Sequence, residues 1–219
     1  MATVLVTGCN RGIGLEICRQ YRDRGDTVIG ACRTASAALQ ESGADIIDGV
    51  DVTSDDGAAR LAGSLGDRRI DILINNAGIL RSDGLESVNF DDMLEQYRVN
   101  TIGPLRVTRA LVPHLAAHAK VAIVTSRVGS IEDNSSGRNY GYRCSKTAAN
   151  MVGVNLHHDL SPKGIAVFLL HPGYVATDMT GGGGIPAPDS ARGIIARMDE
   201  LGLAQSGTFW HAEGYELPW

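Results

Sequence analysis

The chain of 219 residues predicts an α/β fold: one doubly wound parallel sheet with helices on both faces. Three observations predict it. Short β-branched runs alternate along the chain with longer amphipathic stretches, the signature of strand–helix–strand units. The apolar runs are continuous rather than alternating, as strands covered on both faces must be. A glycine cluster stands where the first strand gives way to the first helix. At roughly 100–200 residues per domain the length suits one domain, 1–219, and no linker or internal repeat divides it.

The elements read in order as follows. Val4–Val6 is a buried strand, and the glycine turn after it opens a helix over Ile13–Arg24. Gly25 and Asp26 turn the chain into a second strand, Thr27–Cys32, and Asp45–Val52 contains a third. Asp55–Leu65 is helical and leads to the strand Ile70–Ile74. A long helical stretch runs from Asp91 towards His118, with Pro104 and Pro113 expected to bend or reset it. Val121–Thr125 is an apolar strand. Tyr140–Leu160 is a helix broken by Pro162-Lys163-Gly164, and Ile165–Leu170 is a strand. Gly181-Gly182-Gly183-Gly184 with Ile185-Pro186-Ala187-Pro188 forms a glycine-rich segment near 180–188. It reads as a surface linker or a mobile lid, because four glycines have the most backbone freedom to lose.

Composition narrows the function classes. Hydrophobic residues make up 43% and charged residues 21%, values of an ordinary globular chain. The formal charge of −5 argues against a nucleic-acid coat and a polybasic membrane anchor. No apolar run reaches the ~18 residues of a membrane span, and the N-terminus has no basic segment of a secretory signal. Cys9, Cys18, Cys32 and Cys144 form no CxxC pair, so reduced thiols in the cytoplasm are expected. His157 and His158 point about 100° apart on a helix and cannot chelate as an i, i+4 pair. No metal site is expected.

Thr7-Gly8-Cys9-Asn10-Arg11-Gly12-Ile13-Gly14 has the spacing G-x-x-x-G-x-G at a strand-to-helix turn. Glycines let backbone approach a pyrophosphate, and the N–H groups at the helix start hold its charge. The spacing differs from G-x-G-x-x-G, and no Gly-Lys-Ser/Thr follows, so it is not a P-loop. An acidic residue ending the second strand would select NAD through the ribose 2′-OH. Here the strand ends Cys32-Arg33-Thr34. Arg33, with Arg11 beside it, suits a 2′-phosphate, which favours NADP(H) over NAD(H).

Tyr142 and Lys146 are four apart on one helical face. An ammonium close to a phenol favours the phenolate and lowers its pKa from about 10, so such a tyrosine can exchange a proton with a carbonyl or alcohol oxygen. Ile123-Val124-Thr125-Ser126 ends a strand in hydroxyls, where ligands of parallel sheets bind. Ser126 can polarise a substrate oxygen. Thr125 and Ser130 compete for that role. Strand Ile70–Ile74 ends likewise in Asn75-Asn76-Ala77-Gly78.

Taken together these residues resemble the classical short-chain dehydrogenase/reductase family. The resemblance covers nearly the whole chain, in the family's order: the Thr7–Gly14 loop, Asp51-Val52, Asn75-Asn76-Ala77-Gly78, Asn100, Ser126, Tyr142-x-x-x-Lys146, and Pro172-Gly173 followed by Thr177. His171–Met179 and Glu216-Leu217-Pro218-Trp219 are similar to C-factor-like and sniffer-type carbonyl reductases. The resemblance implies a Rossmann-like sheet of about seven strands and an NADP(H)-dependent oxidoreductase acting on a small carbonyl or alcohol (EC 1.1.1.-).

It also implies roles. Tyr142 is the general acid in carbonyl reduction, and Lys146 tunes it and binds the nicotinamide ribose. Ser126 holds the substrate oxygen, and Asn100 helps to seat a water that relays protons to Lys146. Gly8, Asn10, Arg11, Gly12, Ile13, Gly14, Arg33, Asp51, Val52, Asn76, Ala77, Gly78, Pro172, Gly173, Val175 and Thr177 bind the cofactor. Within that set Asp51 meets the adenine, while Val175 and Thr177 contact the carboxamide. Arg127, Ile131, Asn139, Tyr174 and Met179 are candidate pocket lining. Arg127 can equally face solvent. A homodimer or homotetramer packed through Asp91–His118 and Tyr140–Leu160 is expected. The aromatics near the C-terminus are expected to pack on the sheet edge or a partner subunit.

Two other readings stand beside this one. A cofactor-binding signalling protein of the C-factor type would keep the fold with little or no turnover. A nucleotide-sugar epimerase or dehydratase needs a substantial C-terminal substrate domain, and about 45 residues after Tyr174 do not supply one.

Overall fold

The computed structural model describes residues 1–219. Seven strands form one parallel sheet: β1 (Thr3–Thr7), β2 (Thr27–Ala31), β3 (Asp45–Ile47), β4 (Ile70–Asn75), β5 (Leu115–Val124), β6 (Ala166–His171) and, after a small two-strand ladder of β7 (Val175–Ala176) with β8 (Ile185–Pro186), β9 (Phe209–His211). Their order is β3-β2-β1-β4-β5-β6-β9. The strand order therefore reverses between β1 and β4, and a crevice opens there beyond the C-terminal strand ends.

The helices are α1 (Gly12–Asp23), α2 (Ala37–Gln40), α3 (Asp55–Gly63), α4 (Phe90–Tyr97), α5 (Gly103–Leu111), α6 (Tyr140–Leu160) and α7 (Ala187–Glu200). Alternation along each strand divides the core. Val4, Val6, Ile72, Ile74, Phe168 and Leu170 pack with Leu15, Ile17 and Tyr21 of α1 and Ile194 and Met198 of α7. Leu5, Leu73, Val121, Ile123 and Val167 face the opposite way, onto Leu61 of α3, Val107 and Leu111 of α5 and Ala149 and Leu156 of α6. Burying both faces explains why the strands read as unbroken apolar runs.

The sheet and α6 follow the sequence expectation, α6 with both of its ends. The stretch expected as helix up to His118 does not. After α4 a π-helical turn, Arg98–Ile102, precedes α5, and the helical path ends with a 3₁₀ turn at Val112–His114. Pro113 supplies no N–H to continue it, and Leu115 and Ala119 are buried instead on the sheet. His118 takes a positive φ of 65°, and the pairing with β4 shifts there, from Ile70↔Leu115 to Ile72↔Lys120.

The segment near 180–188 divides in three. The Thr180 hydroxyl donates within reach of the carbonyls of Val175 (2.6 Å), Gly183 (3.0 Å) and Thr177 (3.2 Å), gathering Gly181–Gly184 into a tight turn. Ile185–Pro186 pairs with Val175–Ala176. Ala187 then begins α7, with proline in its first turn, where a missing N–H costs nothing.

Candidate active site

The site lies at the strand-order reversal. Thr7 ends β1, and its Oγ1 accepts hydrogen bonds from the backbone N–H groups of Asn76 (3.1 Å) and Ala77 (3.2 Å). The Asn76 amide donates back to the carbonyls of Thr7 (3.1 Å) and Gly8 (3.0 Å). The glycine loop and the end of β4 are thus one unit. A Cβ on Gly8 would stand 2.7 Å from Ala77 Cα, and one on Gly14 would stand 2.5 Å from Asn76 Nδ2, so side chains are excluded at both positions. Gly12 has φ +56°, and a Cβ there would fill the space towards the Thr177 methyl at 3.3 Å. This leaves a cradle between the N-terminal end of α1 and Thr177, bordered by partly buried Asn10 and Ile13. Such a cradle at a helix N-terminus fits a dinucleotide pyrophosphate.

Further along the crevice, Cys32 ends buried while Arg33 is exposed. Asp51 Oδ1 accepts from Thr53 N and Thr53 Oγ1, both at 2.8 Å. These bonds, with Arg33 and Arg106 nearby, hold its carboxyl below the usual carboxylate range. Val52 is buried against Gly103. Arg11 is exposed and its guanidinium stands 3.5 Å from Asp178, across the cradle mouth. The Pro172 carbonyl accepts from Ser190 at 2.7 Å, Gly173 turns with φ +90° beside Ile185, and Val175 is buried.

Asn100 and Lys146 meet at Gly78. A Cβ built on Gly78 would meet Asn100 Oδ1 at 3.3 Å and Lys146 Nζ at 3.7 Å. Asn100 sits in the π-helical turn, and such turns are frequent at functional sites. Its side chain is fully engaged: Oδ1 accepts from Ile79 N (2.8 Å), and Nδ2 donates to Ile79 O (2.9 Å) and Ser145 Oγ (3.0 Å). Lys146 is 4% exposed and donates to the Val124 carbonyl at 2.9 Å. Its Nζ lies 5.7 Å from the Tyr142 ring centre.

Geometry separates the three competing hydroxyls. Thr125 Oγ1 is buried and donates to Asn150 at 2.7 Å. Ser130 Oγ donates to the Trp219 main-chain oxygen (2.8 Å) and accepts from Asp133 N (3.0 Å). Both are committed to structure. Ser126 Oγ accepts only a long bond from Val128 N, 3.4 Å, and neighbours the Tyr142 hydroxyl closely enough to lower its pKa.

Electrostatics correct one expectation. Burial is the first influence on Tyr142 and pushes its phenol up to about 12, against the opposing effect of Ser126. Lys146 does not draw it down, and burial lowers the lysine itself to about 8. Desolvation penalises the charged form of each group. The Tyr142 phenol therefore keeps its proton at neutral pH.

Among the pocket candidates, Arg127 is paired with Asp133, which commits its charge. Ile131, Tyr174 and Met179 are exposed, and Asn139 is half-buried in a left-handed conformation. The C-terminal aromatics pack as expected on the sheet edge, with Trp219 stacked on Phe209 of β9 at 5.7 Å. Sequence reading missed that the Trp219 main-chain oxygen also receives Ile131 N (2.7 Å) and Glu132 N (2.9 Å), tying Trp219 to the loop after Ser126. It also missed Ser145, whose hydroxyl joins Asn100 to the Tyr142 carbonyl. No local motif marks contacts of this range.

The fold and this crevice define a doubly wound α/β protein with a cradle that fits a dinucleotide. A family model described as short chain dehydrogenase matches residues 2–183, and the chain belongs to that oxidoreductase family. It is 46% identical over 226 residues to the 1-hydroxy-2-glutathionyl-2-methyl-3-butene dehydrogenase of a Rhodococcus species, covering 100% of both chains. It is 46% identical over 154 residues to the C-signal protein of Myxococcus xanthus, covering 68% of this chain and 93% of that one. An NADPH-bound carbonyl reductase from chicken fatty liver superposes with a TM-score of 0.92 at 31% identity, covering 100% of this chain and 99% of the other. The carbonyl reductase Sniffer of Drosophila melanogaster superposes at 0.91 with 31% identity, covering both chains fully.

The buried ammonium of Lys146 generates a stability prediction. Its pKa of about 8 in the fold lies below the ordinary 10.5. Burial therefore costs stability at every pH below 8, up to about 3 kcal/mol, and the cost fades as pH rises from 8 through 10.5. Lys146→Met should melt a few degrees above the parent at pH 7, with the gap closing towards pH 10.5. Thermal unfolding followed by circular dichroism checks both.

Proposed function

We propose that the protein is an NADP(H)-dependent oxidoreductase that reduces a small carbonyl compound to its alcohol, with Tyr142 as the proton donor. The observation carrying this reading is the juxtaposition of a protonated, partly buried Tyr142 with the otherwise uncommitted Ser126 hydroxyl. Beside them a glycine cradle fits a dinucleotide, whose nicotinamide would supply the hydride. Gly8, Gly12, Gly14 and Asn76 would shape the pyrophosphate cradle. Asp51 and Val52 would border the adenine, and Val175 and Thr177 the carboxamide. Arg33 and Arg11 would face a 2′-phosphate, and the NADP-bound neighbours support that preference.

In this mechanism Ser126 donates a hydrogen bond to the substrate oxygen and fixes its position. Tyr142 gives its proton to that oxygen as negative charge develops there. Lys146, held at the Val124 carbonyl, returns a proton to the resulting phenolate through a water seated near Asn100. The reverse reaction uses the same groups with Tyr142 as base. Gly181–Gly184 acts as a lid over the crevice. The Rhodococcus relative's name describes a hydroxylated glutathione conjugate, so the substrate panel includes carbonyl and hydroxy thioethers of that kind. The unpaired thiols of Cys9, Cys18, Cys32 and Cys144 suit the reducing cytoplasm.

A signalling role with little turnover is favoured by one observation, the 46% identity to the C-signal protein. The complete set of Asn100, Ser126, Tyr142 and Lys146 weighs against it. Tyr142→Phe should bind NADPH normally yet lose at least about a hundredfold in turnover. Turnover within a few-fold of the parent would remove Tyr142 as donor, and cofactor binding without any turnover across the panel would favour signalling.

Fluorescence titration checks the cofactor. The parent should prefer NADPH over NADH by about tenfold or more, ~1.4 kcal/mol, and Arg33→Ala should abolish most of that preference.

We also propose a homodimer or homotetramer packed through α4, α5 and α6. Phe90, Leu94, Tyr97 and Met151 expose apolar surface there, 71%, 53%, 43% and 62% respectively. Native mass measurement should return two or four times 23.2 kDa, and Leu94→Arg should return the monomer.

A further inference from the structure

Helix α6 carries Tyr142 and Lys146, yet it lacks a cap of its own. Its N-cap residue, Asn139, is left-handed and makes no side-chain bond to the helix. Gly137, Arg138 and Asn139 all have positive φ, 59°, 60° and 48°. A run of left-handed residues with only one glycine is strained, and it persists only where its surroundings hold it.

The holding group comes from 57 residues upstream. Asp83 Oδ1 accepts from Tyr140 N at 2.6 Å, and Oδ2 accepts from Gly141 N at 3.2 Å. One carboxylate thus satisfies two unpaired donors of the first turn and places negative charge at the positive helix end. The backbone joins in: Asn139 N donates to Asp83 O at 3.0 Å, and Asp83 N donates to Asn139 Oδ1 at 3.3 Å. Tyr142 follows Gly141 directly.

Asp83 is the last point of an extended strap. Ile79 is held by the side chain of Asn100, Arg81 N donates to Gln96 Oε1 at 2.8 Å, and Asp83 holds α6. Alternate residues are tied in turn to the π-helical turn, to α4 and to α6. The strap begins next to Gly78, at the floor of the site. On the reading of the site as a carbonyl reductase, we infer that Asp83 is a positioning residue. It caps α6 across the strap and sets the Tyr142 hydroxyl in register with Ser126 and the cofactor cradle.

The test compares Asp83→Ala, Asp83→Asn and Ser54→Ala. Ser54 caps α3 through Gly57 N at 3.0 Å, away from the reacting groups, and controls for the loss of any helix cap. Asp83→Ala should lower kcat roughly ten- to hundredfold, the scale of a small misplacement of reacting groups. NADPH Kd and substrate KM should stay within about twofold. Asp83→Asn keeps one acceptor and should recover part of kcat. Ser54→Ala should lose stability but leave kcat unchanged. Amide hydrogen exchange over residues 79–83 and 139–142 should accelerate together in Asp83→Ala. The inference is overturned by kcat within twofold of the parent, by unchanged exchange in either segment, or by cofactor affinity and kcat falling in parallel. If the parent reduces no carbonyl compound, the functional reading fails while exchange still decides the coupling. Should Asp83→Ala not fold, Asp83→Asn carries the same measurements.

Discussion

Helix α6 lies against the strand ends at backbone distance, and the arrangement of the site depends on that approach. A Cβ on Gly129 would stand 2.8 Å from the Lys146 carbonyl carbon. A Cβ on Gly153 would stand 2.7 Å from the Leu169 side chain of β6. Any side chain at these two places would push the helix off the sheet, because packed interiors yield little. The turn after β5 is therefore pressed onto the helix turn that carries Lys146. Ser126 and Tyr142, sixteen residues apart in sequence, become neighbours as a consequence.

The same close packing sets the electrostatics. Lys146 is buried and Tyr142 half-buried, and desolvation moves both towards neutrality. The phenol holds its proton more tightly than a free tyrosine, and the ammonium gives its proton up more readily than a free lysine. Stability lost by burying the lysine is offset by the apolar contacts of α6 with the sheet, where Ala149, Leu156 and Leu160 are buried. A site of this kind trades some stability for poise.

Much of the fold was legible because period and punctuation act locally. Tyr140–Leu160 keeps its helical pattern up to a proline and a glycine, and its bounds followed. The path through Pro113 was less legible. Leu115 and Ala119 continue an apolar pattern that suits a helix or a strand, and their pairing beside Ile70 and Ile72 decides for the strand. Helix α7 escaped notice because Pro186 and Pro188 follow four glycines and read as loop. Pro188 in the first turn starts the helix instead.

The sequence by itself determined the parallel sheet, the glycine turn after β1, the i, i+4 pair of Tyr142 and Lys146 and the hydroxyls ending β5. Each of these is encoded within a few neighbouring residues. Only the tertiary structure decided which hydroxyl is free, since Thr125 is taken by Asn150 and Ser130 by Trp219. It also decided that burial, opposed only by Ser126, raises the Tyr142 phenol, and that Asp83 caps a helix it does not belong to. Hydrogen-bond partners and desolvation depend on what surrounds a group in space, and that is set by chain segments far away in sequence.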